Sequence, residues 1–131
     1  MFMSKYESQI YAVLRILVGF LFLLHGSQKL FNFPASGGQA IPLHILIFGG
    51  GVEFIGGLLI MFGLFTRWSA IIASGQMAYA YWSVHGLSAV LPVVNKGEMA
   101  ILYCFIFLYI SAKGSGIFSI DQLLENRKKK E

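Results

Sequence analysis

Charged residues are scarce in this chain: only 12% of its 131 residues are Asp, Glu, Lys or Arg, about half the roughly 25% usual for soluble domains. Cysteine occurs once, as Cys104 inside an apolar run. That excludes an intramolecular disulfide and any C-x-x-C motif, and a small core hydrophobe is its simplest role. Neither H-E-x-x-H nor C-x-x-C-H occurs, and no flavin or nicotinamide motif is present. A bis-histidine haem or metal site built from His25 and His85 therefore has no motif behind it, and no haem, flavin or metal is expected.

What the chain has instead is apolar surface. Hydrophobic residues make up 56% and aromatics 15%, with a mean hydropathy of +0.70. Such a surplus has no aqueous home, so the class is an integral membrane protein in a lipid bilayer. The net charge of +4 does not indicate nucleic acid, because the basic residues are not interleaved along one face. Arg127, Lys128, Lys129 and Lys130 form a C-terminal run that reads as a topology anchor with an affinity for anionic lipid.

Four apolar stretches cover about residues 10–30, 43–65, 68–84 and 95–112. At about 1.5 Å per residue, spans near 20 residues cross a hydrocarbon core of about 30 Å. The expected fold is an all-α membrane protein, a single domain forming a four-transmembrane-helix bundle. The fourth stretch spans fully only if its helix starts near Asn95, which brings Glu98 to the membrane edge. The start resembles a signal peptide, but Arg15 interrupts a run too long for a signal core and no A-x-A site follows, so the first helix is kept.

An even number of spans puts both termini on one side. That side collects Lys5, Arg67, Lys113 and the four C-terminal basic residues, leaving Lys29 and Lys96 on the other. The positive-inside rule makes both termini cytoplasmic, in a bacterial inner membrane. The loops 32–44, with Pro34, Gly37, Gly38 and Pro42, and 85–95, with Pro92, then face outward. In the cytoplasmic tail, 117–131, Ser119-Ile-Asp-Gln122 has the form of a capping box. It should open a short amphipathic helix with Ile120, Leu123 and Leu124 against lipid or the bundle.

Gly49, Glu53 and Gly57 recur every fourth position, with glycine on either side of the carboxylate, and the small residues Ala70, Ser74 and Ala78 do so again. Such spacing lets membrane helices approach closely.

Five ionisable groups, Arg15, His25, Lys29, Glu53 and Glu98, lie in or beside these apolar stretches. A charge in hydrocarbon costs roughly 2.5–3.5 kcal/mol, so it faces a partner or a wet cavity and marks function. His25 and Lys29 share a helix face, and Arg15 lies only about 40° from Lys29 around the helix. Gly19, Phe22 and Gly26 complete that stripe, which should face the bundle. Glu53 falls about 12 Å below the outer surface at helical rise. It needs a cationic neighbour there, and Arg15, His25 and Lys29 are the candidates. The pair can be structural glue, a ligand or proton-handling site, or Glu53 can be a protonated acid.

His25 and His85 each precede glycine near outer helix ends, while Glu53 and Glu98 lie toward the outer ends of the even helices, a faint pseudo-repeat. His44 is simplest as an interfacial residue. Tyr79, Tyr81, Trp82 and Tyr103 read as an interfacial aromatic belt or as a flat slot for a ring-shaped ligand. His25, Lys29, Glu53 and Glu98 are expected to share one outward-opening cavity, with Tyr79 and Trp82 as its apolar wall.

The runs L-R-I-L-V-G-F-L-F-L-L-H-G-S-Q-K-L-F (Leu14–Phe31), E-F-I-G-G-L-L-I-M-F-G-L-F-T-R (Glu53–Arg67), N-K-G-E-M-A (Asn95–Ala100) and F-S-I-D (Phe118–Asp121) resemble the DoxX family of small four-helix bacterial inner-membrane proteins. The resemblance puts Arg15, His25, Lys29, Glu53, Arg67, Asn95, Glu98 and Asp121 on the family's recurrent polar positions. It also implies a redox setting, as the membrane subunit of a thiosulfate:quinone oxidoreductase, beside superoxide dismutase and sulfurtransferase partners, or in quinone and catechol detoxification. The lack of an outer cysteine speaks against direct sulfur chemistry by this chain.

The functional expectation is a quinone-interacting subunit of an oxidoreductase. His25 and Glu53 would be catalytic, Lys29, Glu98, His85, Tyr79 and Trp82 ligand-binding, and Arg15 part of a structural ion pair. Electrons would come from a partner protein in a membrane complex. The alternatives are an accessory or scaffold subunit, and a small transporter needing a homo-oligomer. Topology gives the first test: cysteines introduced at Ser36 and Ala89 should react with an impermeant thiol reagent in intact cells and one at Ser115 should not. Reaction at Ser115 alone would reverse the orientation.

Overall fold

The computed structural model describes residues 2–35 and 41–131; Ser36, Gly37 and Gly38 of the first expected outer loop lie outside them. All regular structure among the described residues is helical. In hydrocarbon a chain must satisfy its own backbone hydrogen bonds, and helices do so within one segment. After a short 3-10 turn at Ser4–Tyr6, α1 spans Glu7–Phe31. A π-helical turn at Ile45–Gly49 leads into α2, Gly50–Phe62. Helix α3 is Thr66–Ala80, continued by a second π turn at Tyr81–His85. A single turn, α4 (Pro92–Asn95), precedes α5, Glu98–Lys113, and α6 is Ile120–Lys128. Two continuous helices, Ser4–Phe31 and Ile45–Phe62, are long and apolar enough to cross a membrane. The fourth apolar stretch does not run unbroken from Asn95. Lys96 adopts φ +60°, so α5 begins only at Glu98.

Helices α1 and α2 are the closest pair, antiparallel and in register through glycine. A Cβ on Gly19 would come within 2.6 Å of the Met61 nitrogen, and one on Gly57 within 2.5 Å of the Leu23 nitrogen. A Cβ on Gly26 would overlap the Phe54 backbone. Backbone-to-backbone contact of this kind is how membrane helices gain dispersion energy without a hydrophobic driving force. The α3–α5 contact is also close. It is built on fully buried Ala70 and Ala73 and fastened by Ser74, whose hydroxyl donates to the Cys104 carbonyl at 2.8 Å. Between the two pairs lies an aromatic and aliphatic core in which Phe22 meets Phe107 with ring centroids 4.7 Å apart, and Tyr103 stacks on Phe107.

At the end carrying the chain termini, three charged side chains cap helices other than their own. Arg15, fully buried, donates to the Ile60 and Met61 carbonyls at 2.8 Å and to the Phe118 carbonyl at 2.7 Å. Asp121 accepts from the Phe65 and Thr66 nitrogens at 2.9 and 3.0 Å and from the Thr66 hydroxyl at 2.8 Å. Arg67 donates to the Ser111 carbonyl at 2.9 Å and to that of Ala112. Each charge thus sits at the helix end whose dipole it complements, the anion at an N-terminus and the cations at C-termini. Each also satisfies groups that a helix end leaves orphaned. Ser119 caps α6 by accepting from the Gln122 nitrogen. At the surface Lys113 pairs with Glu7 at 2.7 Å.

The α1–α2 contact gives a direct test. Gly26→Ala forces two backbones apart and should lower stability by about 3 kcal/mol or more, the upper end for overpacking. Gly75→Ala, where a Cβ meets nothing within 4 Å, should stabilise by up to about 1 kcal/mol through helix propensity. Thermal unfolding of the purified variants in detergent reads both.

Candidate functional site

The opposite end of the bundle holds an incompletely paired polar cluster. Because Gly26 lets α1 lie against Glu53 and Phe54, Lys29, less than one turn further on, reaches across to α2. Its ammonium contacts Glu53 Oε1 directly. The Glu53 side chain is 4% exposed and that of Lys29 26%, so the carboxylate is inside and the ammonium reaches the edge. Gln76 of α3 supplies the third partner. Its Nε2 donates to Glu53 Oε1 at 3.3 Å and to the Gly49 carbonyl at 3.1 Å. The second bond satisfies a carbonyl in the π turn before α2. Such turns recur at functional sites. Buried Glu53 Oε2 and Gln76 Oε1 have no hydrogen-bond partner in the structure.

Beside this cluster is a cavity of about 370 Å³, reached by all four long helices and lined by Phe22, His25, Lys29, Ile41, Pro42, Ile45, Glu53, Met77, Ala80, Val84, His85, Met99, Ala100 and Tyr103. The mostly apolar wall with few polar groups is typical of small-molecule sites, which start near 300 Å³. His25 is exposed at the rim, with its ring edge-on to Tyr103 at 6.1 Å. His85 Nδ1 donates to the Asn95 carbonyl at 3.0 Å, which leaves Nε2 of the neutral ring as an acceptor. Asn95 in turn bonds the Ala89 carbonyl, the Tyr81 hydroxyl and the Gly97 nitrogen. The loop carrying His85 is therefore pinned to α4.

The structure brings together His25, Lys29, Glu53 and His85. It does not bring Glu98 to the cavity. The left-handed turn at Lys96 rotates the start of α5 so that Glu98 is exposed in its first turn, favourable for an anion near a helix N-terminus. Nor do Tyr79 and Trp82 form the wall. They are 67% and 69% exposed, because about 100° per residue puts them across the helix from Met77 and Ala80, which do line it. Their place is taken by Phe22 and Tyr103. Arg15 is no partner of Glu53: it lies at the far end of α2 and binds carbonyls. His44 is exposed. Gln76 was missed in the sequence, where its only signal was a lone amide in an otherwise small and apolar run. No cluster of three metal-ligating side chains occurs among the described residues.

A family model described as DoxX matches residues 10–86. That stretch carries α1 to α3 and with them Lys29, Glu53, Gln76 and both cavity histidines. The chain belongs to the DoxX family. An uncharacterized protein of Haemophilus influenzae is 39% identical over 125 residues, covering 91% of this chain and 93% of that one. The inner membrane protein YqjF of Escherichia coli is 31% identical over 136 residues, covering 95% and 99%. A Bacillus subtilis protein named "putative oxidoreductase CatD" is 26% identical over 121 residues, covering 89% and 88%. No solved structure matches the chain. This is a DoxX-family membrane protein.

Removing one member of a buried ion pair strands the other at a cost of roughly 3–5 kcal/mol. Lys29 is a quarter exposed, so Glu53→Gln should fall near the lower end of that range. Lys29→Met should cost at least as much, since it strands the more deeply buried carboxylate. Melting of both variants within error of the parent would dismiss the pair as a stabilising element.

Proposed function

We propose that this DoxX-family protein is the quinone-interacting membrane subunit of an oxidoreductase, with its site in the cavity around Lys29 and Glu53. In this reading all four long helices span the bacterial inner membrane and both termini are cytoplasmic, which places the cavity in the outer half of the bundle. The observation that carries it is the co-location of an apolar, ring-lined cavity of about 370 Å³ with a buried ion pair and two histidines.

A quinone ring needs flat apolar walls and a donor for each carbonyl. Phe22 and Tyr103 supply the walls. Lys29 keeps N–H donors beyond the one spent on Glu53, and His25 stands at the rim. Reduction of a quinone to the quinol consumes two electrons and two protons. The electrons come from a partner protein, since the chain carries no redox group of its own among recognised motifs. Glu53, in contact with Lys29 and with one oxygen unpaired, is the group positioned to pass protons inward from the rim. The relative named an oxidoreductase supports the reaction class for that relative, and the reading extends it here. The competing reading is a non-catalytic accessory subunit, favoured by the closed Lys29–Glu53 contact and by the capping bonds that Arg15 and Asp121 make at the other end.

Purification in native lipid followed by extraction and mass spectrometry separates them. The proposal expects a quinone near one per chain, reduced to the detergent background in Lys29→Met. Purified protein carrying a stable partner but no quinone would support the accessory reading instead.

A further inference from the structure

The rim of the cavity is apolar where a water-fed site would be polar. Among its lining residues, Ile41, Pro42, Val84 and Met99 are exposed, and the exposed polar one is His25. Met99 is 55% and Val84 58% exposed. The rim continues into the loop after the second π turn, where Leu87, Val90, Leu91, Val93 and Val94 are all more than half exposed. No charged residue lies between His85 and Lys96, and Trp82 stands beside the loop, 69% exposed. An uncharged apolar rim with an adjacent indole belongs at the lipid interface, where such rings settle. In water the same surface would be a costly exposed patch.

The helix packing supplies a second, independent observation. Close backbone approach joins α1 to α2, α2 to α3 and α3 to α5, which leaves the α1–α5 seam without it. That seam is bridged by side chains instead: Phe22 with Phe107 and Tyr103, His25 with Tyr103, and Tyr11 with Tyr109. Rings can rotate to open a gap, whereas glycine-to-backbone contacts cannot. His25 and Met99, one from each side of the seam, are both exposed and both line the cavity.

We propose that the cavity opens sideways into the membrane through the α1–α5 seam at His25 and Met99, and that its ligand is a lipid-dissolved quinone whose long apolar tail stays in the seam while its ring enters. The inference rests on the quinone reading and narrows it: water-soluble quinones and catechols are not the substrate class. The ring would pass between His25 and Tyr103 to reach Lys29. The tail would lie along the exposed aliphatic residues flanking the seam, Leu21 of α1 and Leu102 of α5.

The test uses the full-length protein in lipid nanodiscs with a quinone bearing a long alkyl tail that ends in a diazirine. A phospholipid carrying the same diazirine serves as the control. After irradiation, peptide mass spectrometry locates the adducts. The expected result is labelling on α1 and α5 around Leu21 and Leu102 that is lost on competition with unlabelled tailed quinone, while any labelling by the phospholipid probe is unaffected by that competitor. Specific labelling confined to Ile41–Ile45 or Leu87–Val94 would overturn the lateral route while leaving the quinone reading standing. Identical labelling of the seam by the phospholipid probe would make the seam an ordinary lipid contact and also overturn the route. No competable labelling anywhere would sink both readings together.

Discussion

The backbone contact between α1 and α2 sets the position of nearly every polar group in this protein. Gly19, Gly26 and Gly57 allow the two helices to touch along their length, and the antiparallel register that results is fixed to within a residue. It places Arg15 under the last carbonyls of α2 and Lys29 against Glu53. Neither arrangement survives a helix separation of an ångström or two, because a cation in hydrocarbon without its partner is expensive. The glycines and the cations are thus one constraint seen from two sides. Packing brings the charges together, and the charges would penalise any slip of the packing.

The two ends of the bundle use polar groups differently. Near the termini, Arg15, Arg67 and Asp121 each bind orphaned backbone groups of another helix, so the charges there act as caps, with Arg15 Nε the one buried polar side-chain atom left without a partner there among the described residues. At the other end Glu53 and Gln76 each retain a buried oxygen without a partner, and a cavity lies beside them. Native proteins rarely leave such groups unpaired, so a place where they do is a reasonable place to look for function. The contrast also sorts the polar positions that the family resemblance singled out in the sequence. Arg15, Arg67, Asp121 and Asn95 are explained by the fold, whereas His25, Lys29 and Glu53 are not exhausted by it.

Much of this was legible in the sequence. Apolar run length and charge scarcity identified a helical membrane protein. The i, i+4 relation of His25 and Lys29 and the depth of Glu53 picked out three of the residues that now line one cavity. What could not be read depended on rotation and on chain breaks. Glu98 seemed level with the cluster, but a left-handed residue at Lys96 turns it outward. Tyr79 and Trp82 had the right depth but the wrong face, since depth along a helix says nothing of its rotation against its neighbours. Arg15 shared a stripe with Lys29, yet it lies roughly 20 Å of helix from Lys29 and binds the Ile60 and Met61 carbonyls, roughly 11 Å along α2 from the partner expected of it. Gln76 escaped because one amide has no periodicity to reveal it.

In the proposed reading Lys29, held by Glu53, is the group that meets a quinone carbonyl. Solid-state NMR on the protein in lipid, with isotopically labelled lysine and a carbonyl-labelled tailed quinone, measures that contact without relying on activity or on a variant that folds. A dipolar contact between the Lys29 ammonium nitrogen and one quinone carbonyl carbon, alongside a retained Lys29–Glu53 contact, is the predicted result. A bound quinone whose carbonyls show no contact with Lys29, while the Lys29–Glu53 contact persists, would contradict the account and leave the pair as structural glue.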